Sequence, residues 1–200
     1  MSFLVTENLA FLDRGPYNLA VSEKQIACIS GASGTGKSLL LKAIADLYPH
    51  TGNIFLKNKS YLEFSGPEWR KKVMYLPAES QWWADKVADH YLQLPSEKHL
   101  NEFGFAEDVL EWDVGRLSTG EKQRLAILRV LMLKPEFLLL DEPTASLDKA
   151  NVGNVERIIV DYLHSNSAAA LWVSHDPDQI QKIADKRFGI SPGGRLECLQ

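Results

Sequence analysis

Cysteine is nearly missing from this chain: Cys28 and Cys198 are the only two in 200 residues, and they do not form a Cys-x-x-C pair. That excludes a disulfide framework and argues against a thiolate metal site. Cys28 lies in the apolar run IACIS and is expected to pack as a small core residue. Long hydrophobic runs are missing too. No stretch approaches the roughly 18 apolar residues of a membrane-spanning helix. The amino terminus, MSFLVTENLAF, has no basic segment leading into a long apolar run, so no secretory signal is visible. A cytoplasmic location is expected, with any membrane role reached through a partner. Basic surplus is also absent: 22 Lys and Arg against 26 Asp and Glu leave a formal charge of −4. Without a basic block, nucleic acid is not expected as the main partner. Nor is there an internal repeat, a low-complexity tract or a linker.

What remains is an ordinary globular composition, 45% apolar and 24% charged. Its length suggests one domain, residues 1–200, with a core of useful size. Short β-like runs alternate with helical ones. The strand candidates are IACIS, NIFLK, VMYL, FLLLD and AALWV, apolar on both alternations, as strands covered on both faces should be. Helical segments are expected at Lys37 to Leu47, Thr119 to Leu133 and Lys149 to Ser165, the last with Val152, Val155, Ile158, Ile159 and Leu163 at helical spacing. The alternation predicts an α/β fold, mostly parallel, with helices on both faces. Residues 81–116 differ: they carry no clear strand, contain Pro95 and read as short helices. They are expected to be a small helical subdomain inserted into a core formed by 1–80 and 117–200.

Gly31-Ala32-Ser33-Gly34-Thr35-Gly36-Lys37-Ser38 fits G-x-x-x-x-G-K-[ST] and lies between a strand and a helix, the context that gives the motif its meaning. Glycines let the backbone curl around phosphate oxygens where side chains would clash. Backbone N–H groups from Gly31 through Leu39 and the helix end supply positive potential. Lys37 is expected to reach the outer phosphates and the Ser38 hydroxyl to ligate Mg²⁺. Downstream, FLLLDEP sets Asp141 and Glu142 at the end of a buried strand, where ligands of open α/β sheets bind. Asp141 is expected to hold Mg²⁺ through water, and Glu142 to orient or deprotonate the attacking water.

Leu117-Ser118-Thr119-Gly120-Glu121 opens a helix, and Ser118 with Glu121 has capping-box spacing. Such a helix end is also an anion site. One chain rarely needs two clamps for one phosphate, so this one is expected to serve a nucleotide held by another subunit.

LSTGE running into KQRLAILRVLMLKPEFLLLDEP resembles the signature motif and Walker B strand of the ABC (ATP-binding cassette) family. Ala145-Ser146-Leu147-Asp148 is similar to that family's D-loop, and Ser174-His175-Asp176 to its switch-histidine loop. These motifs stand in the family's order across nearly the whole chain. The resemblance implies a P-loop NTPase core with an antiparallel β edge, ATP and Mg²⁺ as cofactors, and ATP hydrolysis. His175 would contact the γ-phosphate. Ser118 and Gly120 would face the ATP of a second ATPase subunit, most simply another copy of this chain. Asp148 would act at the dimer interface besides capping its helix. An integral membrane transporter subunit is the implied partner, with the chain peripheral on the cytoplasmic face. Small export-type ATPases are the weaker resemblance. A soluble ABC ATPase acting on nucleic acid or the ribosome is the alternative, though such relatives usually carry modules absent here. A small-molecule kinase would not need LSTGE.

The chain departs from the family pattern in places. LSTGE replaces the usual LSGGQ. Ala78 stands where the family carries a glutamine that contacts Mg²⁺ and water; either Gln81 substitutes through a shifted loop, or the contact is missing. A missing contact is the expectation, with hydrolysis slow or partner-dependent. Trp82 and Trp83 cannot both face one core, and at least one is expected to line a groove for the membrane partner. For the family's adenine-stacking aromatic, Phe11 comes first and Tyr17 second.

Overall fold

The computed structural model describes residues 2–199. In chain order the strands and helices are β1 (Ser2–Phe11), β2 (Arg14–Ser22), β3 (Ile26–Ser30), α1 (Lys37–Ile44), β4 (Thr51–Leu56), β5 (Lys59–Ser60), α2 (Gly66–Lys72), β6 (Val73–Leu76), α3 (Glu97–Glu102), α4 (Thr119–Met132), β7 (Phe137–Asp141), α5 (Lys149–Asn166), β8 (Ala169–Val173), α6 (Pro177–Ile183), β9 (Lys186–Ile190) and β10 (Leu196–Leu199).

Two sheets form. One is antiparallel, in the order β2-β1-β4-β5; the other runs β10-β9-β3-β8-β7-β6. In the second sheet every pairing is parallel except β9 with β10. Strand periodicity sorts its side chains cleanly. Ala27 and Ile29 of β3, Phe137 and Leu139 of β7, and Leu171 and Val173 of β8 enter one core with α1 and the antiparallel sheet. Their neighbours Cys28, Leu138, Leu140, Ala170 and Trp172 enter a second core against α4 and α5. A strand buried on both sides is apolar along most of its length, which is why β7 reads FLLL before Asp141 and β8 reads AALWV. Cys28 is fully buried, and burial pushes its thiol up to about 12.

NIFLK is the strand whose placement differs from expectation. It falls in β4, in the antiparallel sheet, with Asn53 exposed and only Ile54 and Leu56 buried. Its pattern is one-faced, as suits an antiparallel strand with one side near water. Residues 81–116 carry α3 and three short 3₁₀ turns. Leu100, Phe103, Val109 and Leu110 join the second core along with α4, so this segment shares its packing with the main sheet.

The parallel strands β3, β7 and β8 end on the same side. The loops after them bring Gly31–Ser38, Asp141–Glu142 and Ser174–His175 to one edge of the sheet.

Candidate functional site

The loop between β3 and α1 is built around glycine. Gly31 has φ 150°, and a Cβ there would lie 2.6 Å from the Ile190 carbonyl. Gly36 is the N-cap of α1 at φ 98°, and no side chain caps the helix. The first N–H groups of α1 are therefore left open to an anion, in the field of the helix N-terminus. Lys37 is 6% exposed. Its Nζ donates to the carbonyls of Gly31 and Ala32, 2.9 Å each. Burial lowers its pKa, while nearby Glu142 and Asp141 oppose the shift. Thr35 turns inward and donates to Ala32 O at 2.9 Å. Ala32, Ser33, Gly34 and Ser38 are exposed, and Leu39, in the first turn of α1, packs its side chain on the core.

Asp141 ends β7, is 4% exposed, and accepts a hydrogen bond from the Tyr75 hydroxyl at 2.9 Å. Burial first, then the charge of Asp141, pushes the Tyr75 phenol above its ordinary range. Glu142 follows at φ 48°, a left-handed conformation that costs a glutamate about 1 kcal/mol. Its N–H donates to Val173 O, and its carboxylate lies 3.1 Å from Nε2 of His175. Backbone strain held by the surrounding structure is characteristic of working sites. Among the described residues, no cluster of three or more His, Cys, Asp or Glu side chains could hold a metal alone. Ser38 and Asp141 are hard oxygen donors, and a pair that small suits Mg²⁺, which completes its shell with phosphate and water.

Behind the Glu142–His175 pair lies a network that sequence reasoning missed. The Gln179 amide donates to Thr144 Oγ1 (2.9 Å) and Glu156 Oε1 (2.8 Å), and accepts from Ser174 Oγ (2.8 Å). Lys182 closes it on Glu156 at 2.6 Å. These partners lie up to 35 positions apart, beyond the reach of any local pattern.

The second anion site is a helix end of another kind. Ser118 caps α4, and Glu121 takes hydrogen bonds from both the N–H and the hydroxyl of Ser118 at 2.8 Å. Those bonds hold the Glu121 carboxyl below its ordinary range. Gly120 packs tightly under the D-loop: a Cβ there would sit 3.1 Å from Ser146 O. Asp148 caps α5 through Asn151 N–H at 3.0 Å.

Three expectations need correction or sharpening. Phe11 is 3% exposed, stacked on Tyr17 with ring centres 5.3 Å apart and edged by Tyr48; Tyr17 is itself fully buried. Neither ring is free to stack on a base. The hairpin turn at Leu12 and Asp13 turns Leu12 outward instead, at φ 51° and 71% exposure. The Gln81 amide is turned to Glu79 O, to which it donates at 3.2 Å on the exposed surface, and Ala78 is exposed. Of the tryptophans, Trp83 is the exposed one, at 70%, while Trp82 packs on the second core; both rings lie 4.8 Å from the Arg129 guanidinium. Arg14 and Tyr75, which carried no motif signal, both touch the site.

Residues 15–145 match the family model described as ABC transporter. The chain is 32% identical over 187 residues to the probable iron export ATP-binding protein FetA of Escherichia coli (strain K12), covering 88% of this chain and 83% of that one. It is 29% identical to the bicarbonate transport ATP-binding protein CmpD of Synechococcus elongatus, covering 96% and 76%. Among solved structures, it superposes with TM-score 0.80 on a dimeric post-hydrolysis state of the ATP-binding cassette MJ0796 bound to ADP and Pi, at 20% identity, covering 98% and 99%. It also matches a bacterial Atm1-family ABC exporter with ATP bound, at TM-score 0.84 and 20% identity, over 97% of this chain and 38% of that one.

Proposed function

The chain belongs to the ABC transporter family and is an ATPase, and on that premise we propose how its own residues bind, hydrolyse and transmit. The phosphates of ATP occupy the glycine loop and the uncapped N-terminus of α1. Lys37 leaves the carbonyls of Gly31 and Ala32 for the outer phosphates, a short swing for a side chain already anchored there. Ser38 and Asp141 would hold Mg²⁺, which when bound supplies neutralising charge beside the phosphates. Glu142 orients the attacking water and accepts its proton, and His175, whose Nε2 lies 3.1 Å from the Glu142 carboxylate, turns to the γ-phosphate.

The observation that carries the larger reading is the division of the anion-binding groups. Lys37, Glu142 and His175 stand at one sheet edge, while Ser118 and Gly120 open a different helix and bond only within their own neighbourhood. Two copies facing each other would set each Ser118 against the partner's ATP, so that ATP closes a homodimer and hydrolysis releases it.

No helix among the described residues is long and apolar enough to cross a membrane. The closure is delivered to a membrane subunit that docks on the exposed Trp83, whose broad, stiff ring is the kind of anchor that dominates interface energy. On this reading the chain works at the cytoplasmic face of the membrane, held there by its partner. Cargo choice lies with that subunit, since relatives of similar identity are named for iron and for bicarbonate. Ala78 leaves the water and metal one contact short, so turnover is slow until the partner is bound.

Glu142→Gln tests the division. It removes the base while keeping the shape, so ATP should trap a dimer visible by light scattering. A variant that stays monomeric under saturating ATP and Mg²⁺ would remove the support for a shared site.

A further inference from the structure

At the corner where the sequence leads one to expect a base-stacking ring, the structure presents a cation. Arg14 opens β2 directly after the turn. Its Nη2 donates to Gly34 O in the phosphate loop at 3.0 Å. Its Nη1 lies 2.8 Å from the point a Cβ on Gly36 would occupy, so the guanidinium rests against the N-cap glycine of α1. Its stem passes under Gly194 of the β9–β10 turn, with Cγ 3.4 Å from the corresponding Cβ position. Nη1 is buried and has no hydrogen-bond partner, and among the described residues no carboxylate forms an ion pair with Arg14.

A buried guanidinium N–H without an acceptor is costly, and arginine is normally found paired with an anion. This uncompensated charge lies against the two glycines whose shape makes the phosphate cradle. The base, by contrast, meets no aromatic face: Phe11 and Tyr17 are both in the core, and the apolar group exposed at this corner is the aliphatic Leu12. An aliphatic chain packs on any base and has no hydrogen-bonding group with which to tell adenine from guanine.

We propose that Arg14 is the positioning residue that holds the phosphate loop in shape and gives it standing positive charge, so that the site reads the triphosphate and not the base and accepts GTP about as well as ATP. This rests on Gly31–Ser38 being the nucleotide site. The test is calorimetric binding of ATP and GTP to the wild type, Arg14→Gln, Arg14→Lys and Lys37→Ala, at low and high salt. The wild type should bind the two nucleotides within about threefold of each other, well under one hydrogen bond's worth of discrimination. Arg14→Gln should weaken both by about tenfold, the scale of one charge-assisted hydrogen bond. It should also flatten the salt dependence, because a screened charge has gone, and Arg14→Lys should recover most of both. A wild-type preference for ATP above about tenfold would overturn base indifference. Unchanged affinity in Arg14→Gln would overturn the positioning role. So would a loss accompanied by a lowered melting temperature that Arg14→Lys fails to restore. Unchanged binding in Lys37→Ala would instead strike at the site itself.

Discussion

Two helices in this molecule begin at ends proposed above as anion sites, and they are finished in opposite ways. α1 starts at Gly36 with no side chain over its end. α4 starts at Ser118, inside a capping box whose Glu121 carboxylate already sits on the Ser118 N–H and hydroxyl. A helix N-terminus carries roughly half a positive charge. In α1 that charge is left bare and reinforced by Lys37 and Arg14. In α4 it is answered by the chain's own carboxylate. The first is therefore ready for a nucleotide in a lone subunit. The second would meet an incoming phosphate with a negative charge already in place, so the proposed contact would depend on a partner that brings other favourable contacts. On the proposed reading, one end captures and the other end checks.

The comparison can be broken at either end. Lys37→Ala should have the largest effect. It removes the cation that α1's loop directs at the phosphates and should cost roughly 100-fold or more in ATP affinity, as truncation of a buried charge pair does. Calorimetry decides it, and affinity retained within about threefold would show that α1 does not capture on its own.

Glu121→Gln is the middle case. It keeps the capping hydrogen bonds but removes the charge, so α4 should accept the partner's phosphate more readily. In the Glu142→Gln background, the ATP-driven dimer should tighten by about threefold to tenfold, the worth of one charge near a helix end. Analytical ultracentrifugation measures this, and a weaker dimer would mean that the carboxylate helps the contact.

The smallest effect is in acid. Hydrogen bonds from Ser118 hold the folded pKa of Glu121 below the unfolded value. Its stabilisation is thus complete above the unfolded pKa of about 4.3 and is lost as pH falls through the lower folded value. Melting temperatures of the wild type and Glu121→Gln should run in parallel near neutrality, and the wild type should fall away only below about pH 4.5. Parallel curves throughout would mean that the cap is indifferent to its charge.

What the sequence makes legible here is whatever the backbone settles locally. The glycine loop, the Ser118–Glu121 box and the Asp148 cap each lie within a few residues, and each forms where spacing alone puts it. FLLL of β7 and AALWV announce double burial because their consecutive apolar side chains leave neither face for water. What depends on packing is not legible. Phe11 has the right residue type at the right corner, but the β1–β2 hairpin folds its ring inward onto Tyr17 and Tyr48. Arg14 reaches Gly34 across 20 positions, and Tyr75 reaches Asp141 across 66, because β6 lies beside β7. NIFLK misled because Ile54, Phe55 and Leu56 are apolar in a row, while only the pairing partner reveals which face is buried.

The amide of Gln179 is engaged at both ends: Ser174 on its oxygen, Thr144 and Glu156 on its nitrogen. Ser174 immediately precedes His175, Thr144 lies two residues beyond Glu142, and Glu156 belongs to α5, the helix that the D-loop enters. Buried at 7% exposure, this amide has no water waiting to replace a lost partner. The three segments are therefore tied together, so that, if His175 turns toward a phosphate as proposed, the turn would be felt at α5. The segment that bears His175 and the helix that follows the D-loop are one packed unit, with Gln179 as its rivet.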